Sequence, residues 1–218
     1  MKTFDLICIG CDPEGEKTAT QAAYFNHRVA VAESAVVPGG AMANTGTIPS
    51  IYAAGDVIGF PALAATSMEQ GRVAACHMFD IDFKTNMADI VPIGIYTIPG
   101  ISMVGLNDQT AKEKGLDVVT GTAEFRKNAH ARMLGDSRGF VKCTFDRTTF
   151  QLLGATIIGE NATELIHLAQ FALTAKMGIN DLINPTFNYP SLSESYKHAA
   201  YDALRQILAG ENQSRLAA

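Results

Sequence analysis

The chain has 218 residues, 47% hydrophobic, 18% charged and 8% aromatic, enough for one large or two small domains with a real core. Seventeen Lys and Arg against 22 Asp and Glu leave a formal charge of −5, and without a basic run nucleic acid is not an expected partner. No apolar stretch reaches the roughly 18 residues of a membrane span, and Met1 to Gly10 is too short a run for a signal peptide. Cys8, Cys11, Cys76 and Cys143 make no disulfide framework in a chain this long, so a cytoplasmic globular protein is expected.

Phe4 to Ile9 is a short apolar run ending at Gly10, the pattern of a buried parallel strand. Lys17 to Asn26 is Ala-rich and suits a helix, and Arg28 to Ala32 reads as a second buried strand. Strand, glycine turn, helix and strand in about thirty residues make a βαβ unit. A loop opens at Gly39-Gly40 and runs through Pro49, Ile51 to Ala54 is another short apolar run, and Ala62 to Phe79 suits a helix.

The composition changes between Asp80 and Ala88, and antiparallel hairpins are expected beyond it. Val141, Cys143 and Phe145 alternate with Lys142 and Thr144, the period of a strand with one wet face. Asp146 to Thr149 turns into a second strand, Leu152 to Ile158. Ala162 to Met177 carries so wide an apolar stripe that it predicts a helix covered on most sides. Ser193 to Leu208 closes the reading as a helix with Tyr196, Ala200, Leu204 and Ile207 on one face. The expected fold is α/β followed by α+β, divided at 1–85 and 86–218: a reduced parallel dinucleotide-binding unit, then an antiparallel sheet with helices.

Chemistry-bearing patterns begin at Gly10-Cys11-Asp12-Pro13-Glu14-Gly15. A dinucleotide fingerprint needs its middle glycine where backbone approaches the diphosphate, and that position is Asp12. Glu33 ends the second strand about twenty residues on, where an acid takes a ribose hydroxyl. Asp12, Glu14 and Glu16 cluster at a helix start, where carboxylates favour the macrodipole. Cys8 and Cys11 have redox or half-metal spacing, but with Cys8 in a strand and no second pair they read as core thiols. Glu164 and His167 are half of a di-iron pattern whose other half is missing. His27, His77, His130 and His198 show no ligand spacing.

Gly39 to Ser50 resembles the redox-motif region of the pyridine nucleotide-disulfide oxidoreductases. Ile51-Tyr52-Ala53-Ala54-Gly55-Asp56 through Gln70-Gly71-Arg72 resembles that family's second FAD motif, and Pro92 to Leu208, with Phe187-Asn188-Tyr189-Pro190, its C-terminal interface domain. The resemblance implies FAD held around Gly10, Gly15, Glu33, Thr47, Asp56 and Ala64, with Asp56 at the ribitol and the Ala64 backbone at the ring system. It also implies a homodimer formed through the C-terminal half. Family members carry the rest of the FAD domain and the NAD(P) domain where Ser50 here abuts Ile51. Met42 and Thr47 stand at the redox-cysteine positions, and Tyr189 stands where the family has its catalytic histidine, with Glu194 kept. Tyrosine, with a reference pKa near 10, is no neutral-pH base. The expectation is a truncated FAD-linked oxidoreductase with weak or substoichiometric FAD, no NAD(P) and no dithiol chemistry. Two alternatives stay open: a non-enzymatic dimerisation protein, and a small-molecule binding module in the vacated cleft.

Overall fold

The computed structural model describes residues 3–10, 13–32, 51–59, 61–135 and 137–216. The chain forms two compact units, Met1–Asp89 and Ile90–Ala218.

In the first unit, strand β1 (Leu6–Ile9), helix α1 (Pro13–Tyr24) and strand β2 (Val29–Ala32) follow one another, and the strands pair in parallel, with Leu6 opposite Val29 and Ile9 opposite Ala32. Helix α2 (Ala64–Met78) packs on α1. Small residues allow the close approach: Ala19 and Ala22 of α1, and Ser67, Gly71 and Ala75 of α2, are buried. The apolar run from Ile51 to Ala54 forms no strand; it leads into a short 3₁₀ turn at Asp56–Ile58. Cys8 is buried, whereas Ile7 and Ile9 point to the other face of β1 and are 62% and 69% exposed.

The second unit is an antiparallel five-stranded sheet with helices. Its elements are β3 (Ile93–Ile95), β4 (Ile101–Gly105), α3 (Asp108–Glu113), β5 (Val118–Glu124), α4 (Ala129–Leu134), β6 (Phe140–Asp146), β7 (Leu152–Ile158), α5 (Ala162–Thr174), α6 (Ile179–Ile183) and α7 (Ser195–Leu216). The sheet order is β3-β4-β7-β6-β5. The β6–β7 hairpin falls where the alternation predicts it, and Asp146 fixes its turn by accepting the N–H groups of Thr148 and Thr149 at 2.9 and 2.7 Å.

Helix α7 packs on β5 and β6, and α5 packs on β4 and β7. Val141, Cys143, Phe145 and Ile157 of the sheet bury with Ile166 of α5 and with Tyr196, Ala199, Ala200 and Ala203 of α7. At Gly121 the approach is so close that a Cβ would lie 1.9 Å from the Ala199 carbonyl oxygen. Only glycine fits there.

Within one chain the sheet covers one side of helix α5 and leaves Phe171 73% exposed. Two expectations need correction. The second face of β6 is not wet at Thr144, which is 1% exposed; the chain at Leu106 bonds the Leu153 carbonyl, and Asp108 draws in Lys142 at 2.5 Å. Helix α7 does not stop near Leu208 but continues to Leu216; the single Gly210 costs a helix about 1 kcal/mol, too little to end one flanked by good helix formers.

Candidate functional site

The expected cofactor residues lie in the first unit, and four of the six are described. Gly10 ends β1 with φ +96°, a left-handed turn that glycine adopts without strain. Its N–H bonds the Ala32 carbonyl at 2.7 Å, so the two strand ends close together just before α1 begins. Gly15 is buried in α1 and borders a cavity of about 70 Å³ with Leu6, Cys8, Thr18, Ala53 and Ala54. Asp56 is exposed in the first position of the 3₁₀ turn. The turn is held from behind, where the Gly55 N–H donates to Gln70 Oε1 at 2.7 Å. Ala64 is the exposed first residue of α2, whose N-terminal flank, Leu63, offers no side-chain cap. The first N–H groups of such a helix have no intrahelical partner. Glu33 and Thr47 lie outside the described residues, as do Cys11, Asp12 and Met42.

A wider open groove of about 570 Å³ lies at the amino end of β1, between Phe4, Asp5, Tyr52 and Phe79. Ligands of parallel sheets sit beyond the carboxyl ends of the strands, so this groove is at the wrong end for a diphosphate. Near it the Tyr52 hydroxyl lies 2.7 Å from His77 Nδ1, and His27 stacks on Phe79 with ring centres 3.6 Å apart. Glu69 is held by Arg72 and, at 2.5 Å, by Lys84. Burial pushes its carboxyl up, but those two cations bring it below its ordinary value.

The remaining candidates resolve into structural roles. His167 Nδ1 lies 2.9 Å from Gln170 Oε1, and Gln170 Nε2 donates to the Ile90 carbonyl at 3.1 Å, so His167 pairs with the chain's own amide and not with Glu164. Among the described residues no three His, Cys, Asp or Glu side chains cluster as a metal site requires. Cys143 is fully buried, and loss of solvent pushes its thiol up to about 12. Tyr189 is 76% exposed. Glu194 receives Asn128 Nδ2 at 3.3 Å, and Asn128, itself buried, also donates to the Ser191 carbonyl at 2.9 Å and caps α4 through Ala131 N–H at 3.0 Å.

The outer side of α5 presents the apolar surface that its wide stripe leaves over once the sheet is packed. Leu168, Phe171 and Ala172, with Met177, Leu182 and Pro185, line an open groove of about 510 Å³. Phe171 stands at its rim, and an aromatic ring that exposed beside an apolar groove marks an association surface. A polar face would have signalled solvent; Phe171 four residues after His167 broke that pattern and was the available clue.

Residues 91–200, which include this face, match the family described as the pyridine nucleotide-disulphide oxidoreductase dimerisation domain. The chain belongs to the pyridine nucleotide-disulphide oxidoreductase family. It is 41% identical over 162 residues to a soluble pyridine nucleotide transhydrogenase of Mycobacterium bovis, covering 74% of this chain and 34% of the relative. The transhydrogenase of Pseudomonas putida is 39% identical over 164 residues, with 74% and 35% covered. Among solved structures it is similar to LpdA of Mycobacterium tuberculosis, with TM-score 0.61, 31% identity and 69% of this chain and 33% of that one covered. It is also similar to RclA of Escherichia coli, described as an HOCl-induced flavoprotein disulfide reductase, with TM-score 0.64, 26% identity and 69% and 35% covered. The chain spans about a third of the length of the curated family members it matches. Among the described residues no helix is long and apolar enough to cross a membrane.

Proposed function

We propose that the chain is a homodimer-forming, truncated FAD-linked oxidoreductase of this family, in which dithiol and NAD(P)-dependent chemistry is lost. Residues 1–85 serve as a reduced flavin-binding domain and 86–218 as the dimerisation domain. The observation that carries the dimer is the α5 groove with its exposed Phe171, which lies inside the matched dimerisation domain. A second copy is its natural occupant, since a two-fold contact brings the same patch of both copies together. The description of the relatives as soluble supports a cytoplasmic location.

The described backbone suits a flavin dinucleotide at two points. Gly10 turns the chain at the carboxyl end of β1, directly before α1, and α2 begins with uncapped N–H groups at Ala64. In this reading Gly10, Gly15 and the start of α1 orient N–H groups toward the diphosphate, as helix N-termini do for anions. By the family resemblance Glu33 and Asp56 would take the two sugar ends, Thr47 would be among the cofactor residues, and the Ala64 backbone would meet the ring system. A bound flavin would supply two-electron redox chemistry. Dithiol exchange has no support in a chain with Met42 and Thr47 at the cysteine positions, nor does histidine-type base catalysis with Tyr189. Hydride transfer from NAD(P)H needs a site that holds the nicotinamide at near-attack distance, and the family's segment for it has no counterpart between Ser50 and Ile51.

A second reading is a non-enzymatic dimerisation protein, which the match of residues 91–200 to the dimerisation domain supports without any cofactor. Absorbance and titration separate the two. Asp12 puts a negative charge beside the expected diphosphate, a repulsion of about 1 to 4 kcal/mol at 4 Å, so affinity falls by roughly a hundredfold. The protein is therefore expected to purify with substoichiometric flavin and to consume no NADPH above a protein-free control. Asp12→Gly is expected to tighten FAD binding about a hundredfold by fluorescence quenching. Full flavin loading of the wild type, an unchanged affinity in the variant, or steady NADPH turnover would contradict this reading; no binding by either protein would leave the non-enzymatic one.

A further inference from the structure

Strand β5 is an edge of the five-stranded sheet, and edge strands expose a row of backbone donors and acceptors that another chain can pair with. Its register with β6 places Val119, Gly121 and Ala123 in line with Phe145, Cys143 and Val141. The N–H and C=O groups of the alternate residues, Val118, Thr120 and Thr122, point sideways out of the sheet. Side chains meet three of those six groups. Asp202 Oδ2 accepts the Thr122 N–H at 3.1 Å, and Gln206 Nε2 donates to the Thr120 carbonyl at 2.8 Å. Arg147, anchored on Asp117 at 3.2 Å, donates to the Val118 carbonyl at 3.3 Å.

The guards are themselves held. Asp202 and Gln206 are one helical turn apart on α7 and bond each other at 3.0 Å, while Arg205 holds the other oxygen of Asp202 at 2.7 Å. Because α7 lies on β5 at the distance of the Gly121 contact, both side chains reach past the strand to its outer edge. The arrangement joins residues 80 and 86 positions apart in sequence, so it is a product of the fold and not of local turn chemistry.

We infer that α7, with Arg147, closes the β5 edge to strand addition and thereby confines self-association of the chain to the α5 face. The first part stands on the edge contacts alone; the second rests on the α5 dimer proposed above. A donor already bonded to Asp202 and a carbonyl already bonded to Gln206 offer an incoming strand nothing unless those bonds break first. Without the guards, a sheet of five strands could grow across a new copy at β5 while a second copy sat on α5, and association would not stop at two.

The test is the full chain carrying Asp202→Ala and Gln206→Ala together. Sedimentation velocity at equal concentration is expected to show species heavier than those of the wild type, and Thr122 amide exchange is expected to quicken by about tenfold or more. Adding Thr122→Pro removes the N–H an incoming strand would use, a change that edge strands tolerate, and is expected to abolish the heavier species. Heavier species that survive Thr122→Pro would show general aggregation and overturn the inference, as would a double variant with unchanged sedimentation and exchange. Should the double variant fail to fold, Gln206→Ala alone opens the Thr120 carbonyl, and unchanged sedimentation at all concentrations overturns it. A monomeric wild type would remove the α5 dimer while leaving the edge guard to be judged by the variant.

Discussion

The hydroxyl of Tyr196 donates to the Leu165 carbonyl at 2.8 Å, a bond that ties the first turn of α7 to the first turn of α5. Tyr196 is fully buried, and burial holds its phenol well above its ordinary value, so it stays a donor. The bond adds to the core packing of Ile166, Ala169 and Ala172, which turns the opposite side of α5 outward.

Replacing Tyr196 with Phe removes this bond while keeping the ring in the core. The expected cost is about 1 kcal/mol of stability, the usual net worth of one hydrogen bond, read as a lower denaturant midpoint at unchanged slope. A midpoint equal to that of the wild type would show that packing alone orients α5.

Acid should weaken the second unit in a narrow range. Hydrogen bonds from Lys142 to Asp108 and from the Thr149 N–H to Asp146 outweigh desolvation and hold both carboxyls below their ordinary value of 3.8. Burial pushes Asp202 up, yet Arg205 and the Thr122 N–H bring it below the same value. Arg126 and Lys127 hold Glu124 down at about 2. Carboxyls depressed by folding contribute stability that is fully present above their unfolded pKa and is lost as pH falls through the folded one. The denaturant midpoint is expected to stay flat from neutrality to about pH 5 and to drop below pH 4. A midpoint that falls between pH 7 and 5 would contradict this, and would point to a histidine instead.

Phe171→Arg places a charge on the rim of the α5 groove. The residue is 73% exposed in one chain, so the fold should survive with an unchanged far-ultraviolet spectrum. An exposed aromatic ring that anchors an interface is worth about 2 kcal/mol or more, so the dimer dissociation constant is expected to rise by about thirtyfold or more. An unchanged constant would move the interface off α5.

The parts of this fold legible in the sequence are those whose partners lie nearby. Strands Leu6–Ile9 and Leu152–Ile158 and helix Ala162–Thr174 follow from short apolar runs and a stripe of helical period. What alternation could not show was distant coverage. Thr144 reads as a wet position, yet Leu106 and Asp108, more than thirty residues earlier, close over that face. Likewise Asp202 and Gln206 read as an ordinary polar helix face, and their role at Thr122 and Thr120 exists only once α7 lies on β5. The apolar width of α5 was visible, but not which part of it the sheet leaves bare at Phe171. Of the cofactor residues, motif resemblance singles out Gly10, Gly15, Asp56 and Ala64, and three of them sit at turns or helix starts where spacing alone could not orient them.

Sedimentation equilibrium of the wild-type chain at micromolar concentration tests the central claim most directly. The account predicts a single species at twice the 23.3 kDa of one chain, dissociating only on dilution. A species of 23.3 kDa throughout that range would contradict it.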